Sequence, residues 1–207
     1  MVTVSCSVKN DIQAMKLYAD ACEMYSNGKF SETARMLNGV KFPPALILRG
    51  KALYFTGELD DAEKSCRQAL KHRPGAFEAQ LYLARILREK GEELQAGKII
   101  KNLMTDNPND ARLLRFAANM ALERGNVAEA SVFLDRAAQL SSDGAMVLLD
   151  RARLHWIAGN GEQALEDLGR AKAMLPWDTP VKTSIKSLEK RITEAMQCPD
   201  ASATGLY

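Results

Sequence analysis

Apolar and small residues recur along the chain in stripes that have the spacing of amphipathic helices. Residues 145–178 show the pattern clearly, because two stripes are separated by a break at Gly159 and Gly161. The positions of the two stripes are Leu148, Leu149, Ala152 and Trp156, followed by Ala164, Leu165, Leu168 and Ala171. Side chains three or four residues apart share one face of a helix, and glycine accepts the backbone angles of a tight turn. The segment is therefore predicted to form two helices joined by a turn.

The same helix–turn–helix pattern repeats with a period of 34 residues. Equivalent positions keep this spacing in five columns, which are Gly57, Gly91, Gly125 and Gly159; Ala62, Ala96, Ala130 and Ala164; Gly50, Ala84, Ala118 and Ala152; Ala69, Leu103, Ala137 and Ala171; and Pro74, Pro108, Ser142 and Pro176. A fixed period of this length is typical of helical arrays. Small residues let two helices cross at close range, and proline ends the second helix of each pair.

These columns are similar to those of the tetratricopeptide repeat family, whose members repeat a 34-residue helix–turn–helix unit. The repeats align with the family pattern when their first positions are placed at Pro43, Phe77, Ala111 and Ala145. The resemblance implies an all-α fold, a right-handed superhelical solenoid of tetratricopeptide-type helix–turn–helix repeats with a C-terminal capping helix. Ser142 departs from the pattern, because the family carries proline there.

The predicted domain organisation follows from the register of the repeats. A single repeat domain is expected at 10–197, between an N-terminal extension at 1–9 and a tail at 198–207 that is predicted to be disordered. The domain is divided into an irregular repeat at 10–42, regular repeats at 43–76, 77–110, 111–144 and 145–178, and a capping helix at 179–197. The irregular repeat fits only if Thr33 takes the alanine position and its second helix is about five residues short.

Composition and motifs argue against an enzyme. The chain has 28 Lys plus Arg and 26 Asp plus Glu, so its net charge is only +2, and it has two histidines and four cysteines. It contains no Cys-x-x-Cys pair, phosphate-binding glycine loop or serine-hydrolase motif. We therefore expect no catalytic residue, no cofactor and no metal. His155 is predicted to be packed and hydrogen-bonded and Cys66 to lie in the core, whereas Glu162, Glu166 and Asp167 are predicted to lie on the solvated side of a second helix.

The resemblance also implies where a ligand would bind. In the tetratricopeptide family the first helix of each pair lines a concave groove, and a small set of its positions contacts peptides. Carried onto this sequence, the candidate groove residues are Tyr18, Tyr25, Lys51, Tyr54, Tyr82, Arg85, Arg88, Arg112, Arg115, Asn119, Arg153 and Trp156. The same positions also include Cys22, Ile47, Phe55, Phe116, Leu149 and Asp150.

Two interpretations of this stripe of arginine and aromatic residues stay open. In one, Tyr18, Tyr54, Tyr82 and Phe116 pack between neighbouring helices and the arginines are merely solvated. In the other, the aromatic residues hold a peptide, and the arginines pair with acidic side chains or with a terminal carboxylate. Arginine and aromatic residues dominate binding hot spots, which favours the second interpretation.

We therefore expect a non-catalytic protein–protein interaction module, acting as an adaptor, an assembly factor or a chaperone-like component. Its expected partner is a protein or an acidic peptide, and charge reversal at Arg85 and Arg115 together is predicted to abolish binding. One alternative is self-association into a homo-oligomer. Another is an RNA-binding helical repeat, which the net charge of +2 and the lack of a repeated base-reading pair disfavour.

The sequence shows no stretch of about 20 apolar residues, so no transmembrane segment is expected. Reduced cysteines in the cytoplasm are the favoured interpretation. The alternative is an exported protein anchored to lipid through Cys6, although Thr3-Val-Ser before it is a poor cleavage signal.

Overall fold

The computed structural model of the protein describes residues 2–140, 144–175 and 180–197, without the side chains of residues 2–11 and of Pro180. Within these ranges the chain forms eleven α-helices and no β-strand. The helices are α1 (Val2–Ser26), α2 (Phe30–Met36), α3 (Pro43–Thr56), α4 (Leu59–His72), α5 (Phe77–Glu89), α6 (Glu93–Asp106), α7 (Ala111–Glu123), α8 (Val127–Leu140), α9 (Gly144–Ile157), α10 (Gly161–Met174) and α11 (Pro180–Gln197). None of these helices, over the ranges described, combines the length and the apolar character needed to cross a bilayer.

The helices belong to two compact units that divide between Asp106 and Asn107. The first unit contains α1–α6 and the second contains α7–α11. Consecutive helices pack in pairs, α3 with α4 and α5 with α6 in the first unit, and α7 with α8 and α9 with α10 in the second. The range 10–197, predicted as one repeat domain, thus contains two compact units whose boundary falls in the loop between two successive repeats.

Helix boundaries in the regular repeats follow the 34-residue period. Helices α3, α5 and α7 begin at Pro43, Phe77 and Ala111, and α9 begins at Gly144, one residue before the predicted start. The second helices α4, α6, α8 and α10 have 14 residues each, whereas α2 of the irregular repeat has 7. Helix α2 is short because the chain turns at Gly39, whose φ of 77° is left-handed, before α3 begins.

The ends of the predicted domain have different outcomes. Helix α1 reaches back to Val2, so residues 2–9, predicted as a separate extension, continue the first helix of the irregular repeat. Helix α11 occupies the range predicted for the capping helix, and its Ile185 and Ile192 are buried against Leu168 of α10. Ser142 and Pro176 of the proline column, the side chain of Cys6 and the tail 198–207 lie outside the described residues.

Glycines of the 34-residue column end the first helix of each regular pair. Their φ angles are 81° at Gly57, 81° at Gly91, 75° at Gly125 and 81° at Gly159. L-residues with a side chain rarely adopt this left-handed conformation, and glycine adopts it without steric cost. The periodic glycines are therefore explained by the backbone of the turn.

Small residues of the other columns lie at the crossing of the paired helices. Fully buried residues of these columns are Ala62, Ala69, Ala84, Ala96, Ala118, Ala130, Ala137, Ala152, Ala164 and Ala171. Cys66 is buried among the core residues as well, as its sequence position predicts. Burial, assisted by the nearby Glu63 carboxylate, raises the pKa of the Cys66 thiol to about 12, so the thiol stays protonated and behaves as a small apolar group.

Asp167 departs from the solvated position predicted for it. Only 3 % of its surface is exposed, because it lies three residues after Ala164 and four before Ala171 and so shares the buried face of α10. Its carboxylate accepts two hydrogen bonds of 2.6 Å from Arg151 of α9, one from Nε and one from Nη2. Nε2 of the half-buried His155 lies 3.7 Å from Asp167 Oδ2. A buried ion pair therefore joins the two helices.

Gly50 is predicted to be intolerant of even the smallest side chain. A Cβ atom at this position would lie 2.7 Å from Cys66 Sγ and 3.3 Å from the Ala62 carbonyl oxygen. We expect Gly50→Ala to lower the free energy of unfolding by about 1–3 kcal/mol, because overpacking outweighs the gain in helix propensity. Urea denaturation followed by circular dichroism measures the change.

The control for this prediction removes the atom that Cβ would meet. Combining Gly50→Ala with Cys66→Ala is expected to recover most of the loss, relative to Cys66→Ala alone. A Gly50→Ala variant as stable as the wild-type protein would contradict the proposed close approach of α3 and α4.

Candidate peptide-binding surface

Five aromatic rings of the first unit form a continuous group, called here the aromatic cluster: Tyr25, Phe30, Tyr54, Phe55 and Tyr82. Phe30 stacks on Phe55 with 4.8 Å between ring centroids, and Tyr25 meets Phe30 edge-on at 5.1 Å. Tyr54 lies 5.5 Å from Phe55 and 5.8 Å from Tyr82, both in edge-on contacts. These geometries are the favourable ones for aromatic pairs. The rings come from α1, α2, α3 and α5, so the cluster joins three helix pairs.

Exposure differs sharply within the aromatic cluster. Tyr82 at its base has only 7 % of its surface exposed, whereas Phe55 has 48 % exposed. The remaining three rings are half-buried. Phe55 thus presents an apolar ring to solvent while its neighbours hold the ring in place.

Two cations flank the aromatic cluster. Lys51 Nζ lies 5.5 Å from the ring centroid of Tyr25 and 5.1 Å from that of Tyr82, and 3.2 Å from Glu78 Oε2. Arg85 lies over the face of Tyr82, with 5.2 Å between Cζ and the ring centroid. A cation over an aromatic face is attracted by the ring quadrupole. Positive charge and apolar surface therefore lie side by side on the first unit.

Burial keeps the hydroxyls of Tyr25 and Tyr54 protonated. It raises the pKa of Tyr25, with the adjacent Tyr82 acting in the same direction and Arg85 opposing. Burial also raises the pKa of Tyr54, with a further contribution from the Glu89 carboxylate. The rings consequently remain neutral at physiological pH and offer hydroxyl groups for hydrogen bonds.

Tyr18 lies in different surroundings from the aromatic cluster, whereas Arg88 lies near it. Tyr18 meets Phe42 edge-on at 5.8 Å and packs in the apolar contact of α1 with α3. Burial, together with a hydrogen bond to Cys22, raises the pKa of Tyr18. Arg88 pairs with the adjacent Glu89 at 3.0 Å, and its charge acts to lower the pKa of Tyr54, against the larger effect of burial. Of the candidate residues in the first unit, Tyr25, Lys51, Tyr54, Tyr82 and Arg85 are therefore brought together, with Arg88 close to Tyr54.

In the second unit the candidate arginines are paired with carboxylates of the chain itself. Arg115 Nε donates a 2.8 Å hydrogen bond to Asp150 Oδ2, and the side chains are 13 % and 2 % exposed. Arg153 Nη1 lies 3.4 Å from Asp150 Oδ1. Asp150 thus fixes α7 to α9 through Arg115, which gives that arginine a structural role.

Arg112 belongs to the start of α7. Asp110 caps this helix by accepting hydrogen bonds from the backbone N–H groups of Arg112 and Leu113, and Arg112 Nη2 adds a 2.8 Å contact. Burial alone would raise the pKa of Asp110, but the hydrogen bonds and charge of Arg112 outweigh it and lower this pKa. The guanidinium of Arg112 is therefore part of a helix cap.

The other candidates of the second unit lie nearer its core. Trp156 is half-buried and packs against the apolar cluster that includes Leu168 and Ile185. Asn119 is half-buried on α7, and Phe116 is almost fully buried. The packing interpretation thus describes Phe116 and Tyr82 well, whereas the idea of merely solvated arginines fails for Arg115.

Two residues of the first-unit surface lie outside the positions that sequence reasoning singled out. Phe30 is the first residue of α2, a second helix, and it reaches the aromatic cluster because the irregular repeat turns immediately before it at Gly28. Glu78 lies in the first turn of α5 and binds Lys51. In the described part of the chain no group of three His, Cys, Asp or Glu side chains is arranged to hold a metal ion.

Comparison with family models gives two matches, both described as tetratricopeptide repeat. One covers residues 56–120 and the other residues 145–166. No curated protein matches the chain in sequence.

Solved structures provide similar folds. A tetratricopeptide repeat protein from Parabacteroides merdae is 20 % identical, with a TM-score of 0.76 over 86 % of this chain and 70 % of that one. TTC0263, a thermophilic tetratricopeptide repeat protein of Thermus thermophilus, is 18 % identical, with a TM-score of 0.73 over 89 % of this chain and 99 % of that one. A chain of the APC/C hetero-tetramer Cut9–Hcn1 is 18 % identical, with a TM-score of 0.74 over 86 % of this chain and 36 % of that one. The family models thus identify tetratricopeptide repeats at residues 56–120 and 145–166, and the solved structures show that the helix pairs of this chain have the tetratricopeptide repeat fold.

Proposed function

We propose that this protein is a non-catalytic interaction module that binds a segment of a partner protein through the aromatic cluster of its first unit. The tetratricopeptide fold itself supports a protein-interaction or scaffold role in general. The observation that carries the finer proposal is the half-exposed ring of Phe55, which is supported on its inner side by packed aromatic rings.

Rigid aromatic rings are effective anchors for a partner. A protein segment that covers Phe55 removes apolar surface from water and loses little free energy to ordering, because Phe30 and Tyr54 already hold the ring. The neutral tyrosine hydroxyls and the two flanking cations add polar contacts around an apolar centre. This arrangement matches the organisation of binding hot spots, in which a buried aromatic core is surrounded by polar groups.

The proposal locates recognition in the first unit and assigns the arginines of the second unit to its stability. Arg115, Arg153 and Arg112 are held by Asp150 and Asp110. The partner is accordingly expected to contact few of the arginines in the predicted groove. We further propose a cytoplasmic location, where the thiols of Cys22 and Cys66 would stay reduced.

Replacement of Phe55 by Ser tests the proposal. We expect affinity capture from native lysate to lose its specific partner, by about tenfold or more, because truncating an aromatic hot spot costs about 2 kcal/mol or more. Quantitative mass spectrometry of the captured proteins, with circular dichroism of each variant, makes the measurement.

The matched control is Leu94→Ser, because Leu94 of α6 belongs to the same unit and is 85 % exposed. This variant should capture the same partner as the wild-type protein. Equal capture by the wild-type protein and by Phe55→Ser would contradict the proposed surface. Capture of a second copy of the chain, with nothing else depending on Phe55, would instead favour self-association.

A further inference from the structure

Arg85 differs from the other candidate arginines in its surroundings. Its guanidinium is half-buried over the Tyr82 ring, and among the residues that the structure describes no carboxylate is close enough to form an ion pair with it. Lys51, the other cation at the aromatic cluster, has Glu78 at 3.2 Å. Within the described residues, Arg85 is thus a cation beside exposed aromatic surface that forms no ion pair.

We infer that the partner segment carries an acidic residue close to an aromatic residue. Arg85 binds the carboxylate of the partner's acidic residue, and Phe55 contacts the ring of the partner's aromatic residue. The inference rests on the proposed function, because it names the chemistry of the segment bound at the same surface. It commits to a side-chain carboxylate inside a segment, and a terminal carboxylate is an outcome of the test.

Arg85 loses hydration when a partner covers it. An apolar segment that covers Phe55 also removes water from the adjacent guanidinium, and an unpaired cation loses hydration without compensation. A carboxylate replaces that water with charge-assisted hydrogen bonds. The N–H groups of a guanidinium can bind one carboxylate through two parallel hydrogen bonds, and Arg85 lies beside the cluster over the Tyr82 ring.

The geometry limits where the acidic residue stands in the partner. The ring centroids of Phe55 and Tyr82 are 6.3 Å apart, and Arg85 Cζ lies 5.2 Å from the same Tyr82 centroid. In an extended peptide, alternate side chains point to the same side about 7 Å apart. An aromatic residue over Phe55 and an Asp or Glu two positions away can therefore reach both groups together.

Peptide libraries test this inference directly. Two libraries of eight-residue peptides carry a fixed aromatic residue, and both are acetylated at the N-terminus. One is amidated at the C-terminus, and the other keeps a free carboxylate there. We expect the wild-type protein to select Asp or Glu two positions from the aromatic residue in the amidated library, at least fivefold over its input frequency.

A double-mutant cycle then assigns the contact. Arg85→Gln is expected to weaken binding of the selected acidic peptide about tenfold, and to change binding of its Gln- or Asn-containing counterpart less than twofold. The matched control is Arg67→Gln, which removes the same charge from an exposed position of α4 in the same unit. It should alter neither affinity, which is measured by fluorescence polarisation.

The possible outcomes separate this inference from the proposed function. If the selected peptides depend on Phe55 but show no preference for an acidic residue, the inference is overturned and the proposed binding surface is retained. The same holds if Arg85→Gln weakens binding of the acidic peptide and of its Gln- or Asn-containing counterpart equally. Binders found only in the library with free carboxylates also overturn it, in favour of a terminal carboxylate. If no peptide from either library depends on Phe55, the proposed function fails and the inference with it.

Discussion

Replacing Arg115 by Glu is expected to lower the free energy of unfolding of the second unit by about 3–5 kcal/mol. The Arg115 side chain is 13 % exposed and its partner Asp150 only 2 %, and they are joined by a 2.8 Å hydrogen bond between α7 and α9. The substitution removes the buried counterion of Asp150 and places a second carboxylate beside it. Urea denaturation followed by tryptophan fluorescence measures the effect, because Trp156 belongs to α9 of this unit.

The matched control is Arg124→Glu, which makes the same charge reversal at a side chain that is 56 % exposed. We expect this variant to lose less than about 1 kcal/mol, as exposed ion pairs generally do. If both variants lost the same small amount, Arg115 would not be a structural residue and would return as a candidate for ligand binding.

This prediction changes how charge reversal in the predicted groove is interpreted. The sequence predicts that reversal at Arg85 and Arg115 together abolishes binding. Because Arg115 holds Asp150, the double variant would lose structure in the second unit whether or not Arg115 touches a partner. Single substitutions at Phe55 and Arg85 separate binding from stability, since neither removes an ion pair that the structure describes.

The repeats could be predicted from the sequence because their signals are local. Turn glycines such as Gly57 are required by a left-handed backbone, and small residues such as Ala118 by the close crossing of two helices. Each signal recurs every 34 residues, so independent positions agree on one register. The short α2 could also be anticipated, because only a shortened helix brings Thr33 into the register.

The pairing of charges was harder to predict, because it depends on contacts between helices. Helical spacing places Arg115 and Asp150 on candidate groove positions, but their hydrogen bond requires the relative placement of α7 and α9. Burial of Asp167 likewise follows from the way α10 rests on α9. The sequence therefore predicts well which residues lie on the candidate groove positions of the first helices. It predicts less well which of these residues remain available to a ligand.

The sequence does contain a signal for the pairing of Arg151 with Asp167, in the corresponding positions of another repeat. Arg49 and Ser65 occupy the same repeat positions as Arg151 and Asp167, 102 residues later. In the first unit Arg49 Nη1 donates a 2.6 Å hydrogen bond to Ser65 Oγ, and Arg49 Nε is buried without a partner among the residues described. In the second unit Arg151 Nε and Nη2 both donate hydrogen bonds to the Asp167 carboxylate. An arginine at the first of these positions, with a hydrogen-bond acceptor at the second, therefore indicates a contact between the two helices of a repeat.

The remaining large effect is expected from Asp167→Ala, which should lower the free energy of unfolding of the second unit by about 3 kcal/mol or more. Arginine keeps its charge at physiological pH, so the Arg151 guanidinium must be rehydrated or paired again when the Asp167 carboxylate is removed. Asp135, 3.7 Å from Arg151 and largely exposed, offers only a weak replacement. Tryptophan fluorescence in urea again provides the measurement, with the exposed Glu166→Ala as the matched control.

A second variant distinguishes loss of the pair from simple loss of packing. Combining Asp167→Ala with Arg151→Met removes the stranded cation and should recover a large part of the stability, because apolar replacements of a buried ion pair are often tolerated. The coupling energy of this double-mutant cycle measures the cost of leaving Arg151 unpaired. If the double variant were no more stable than Asp167→Ala, the main contribution of Asp167 would be packing rather than the charge it supplies between α9 and α10.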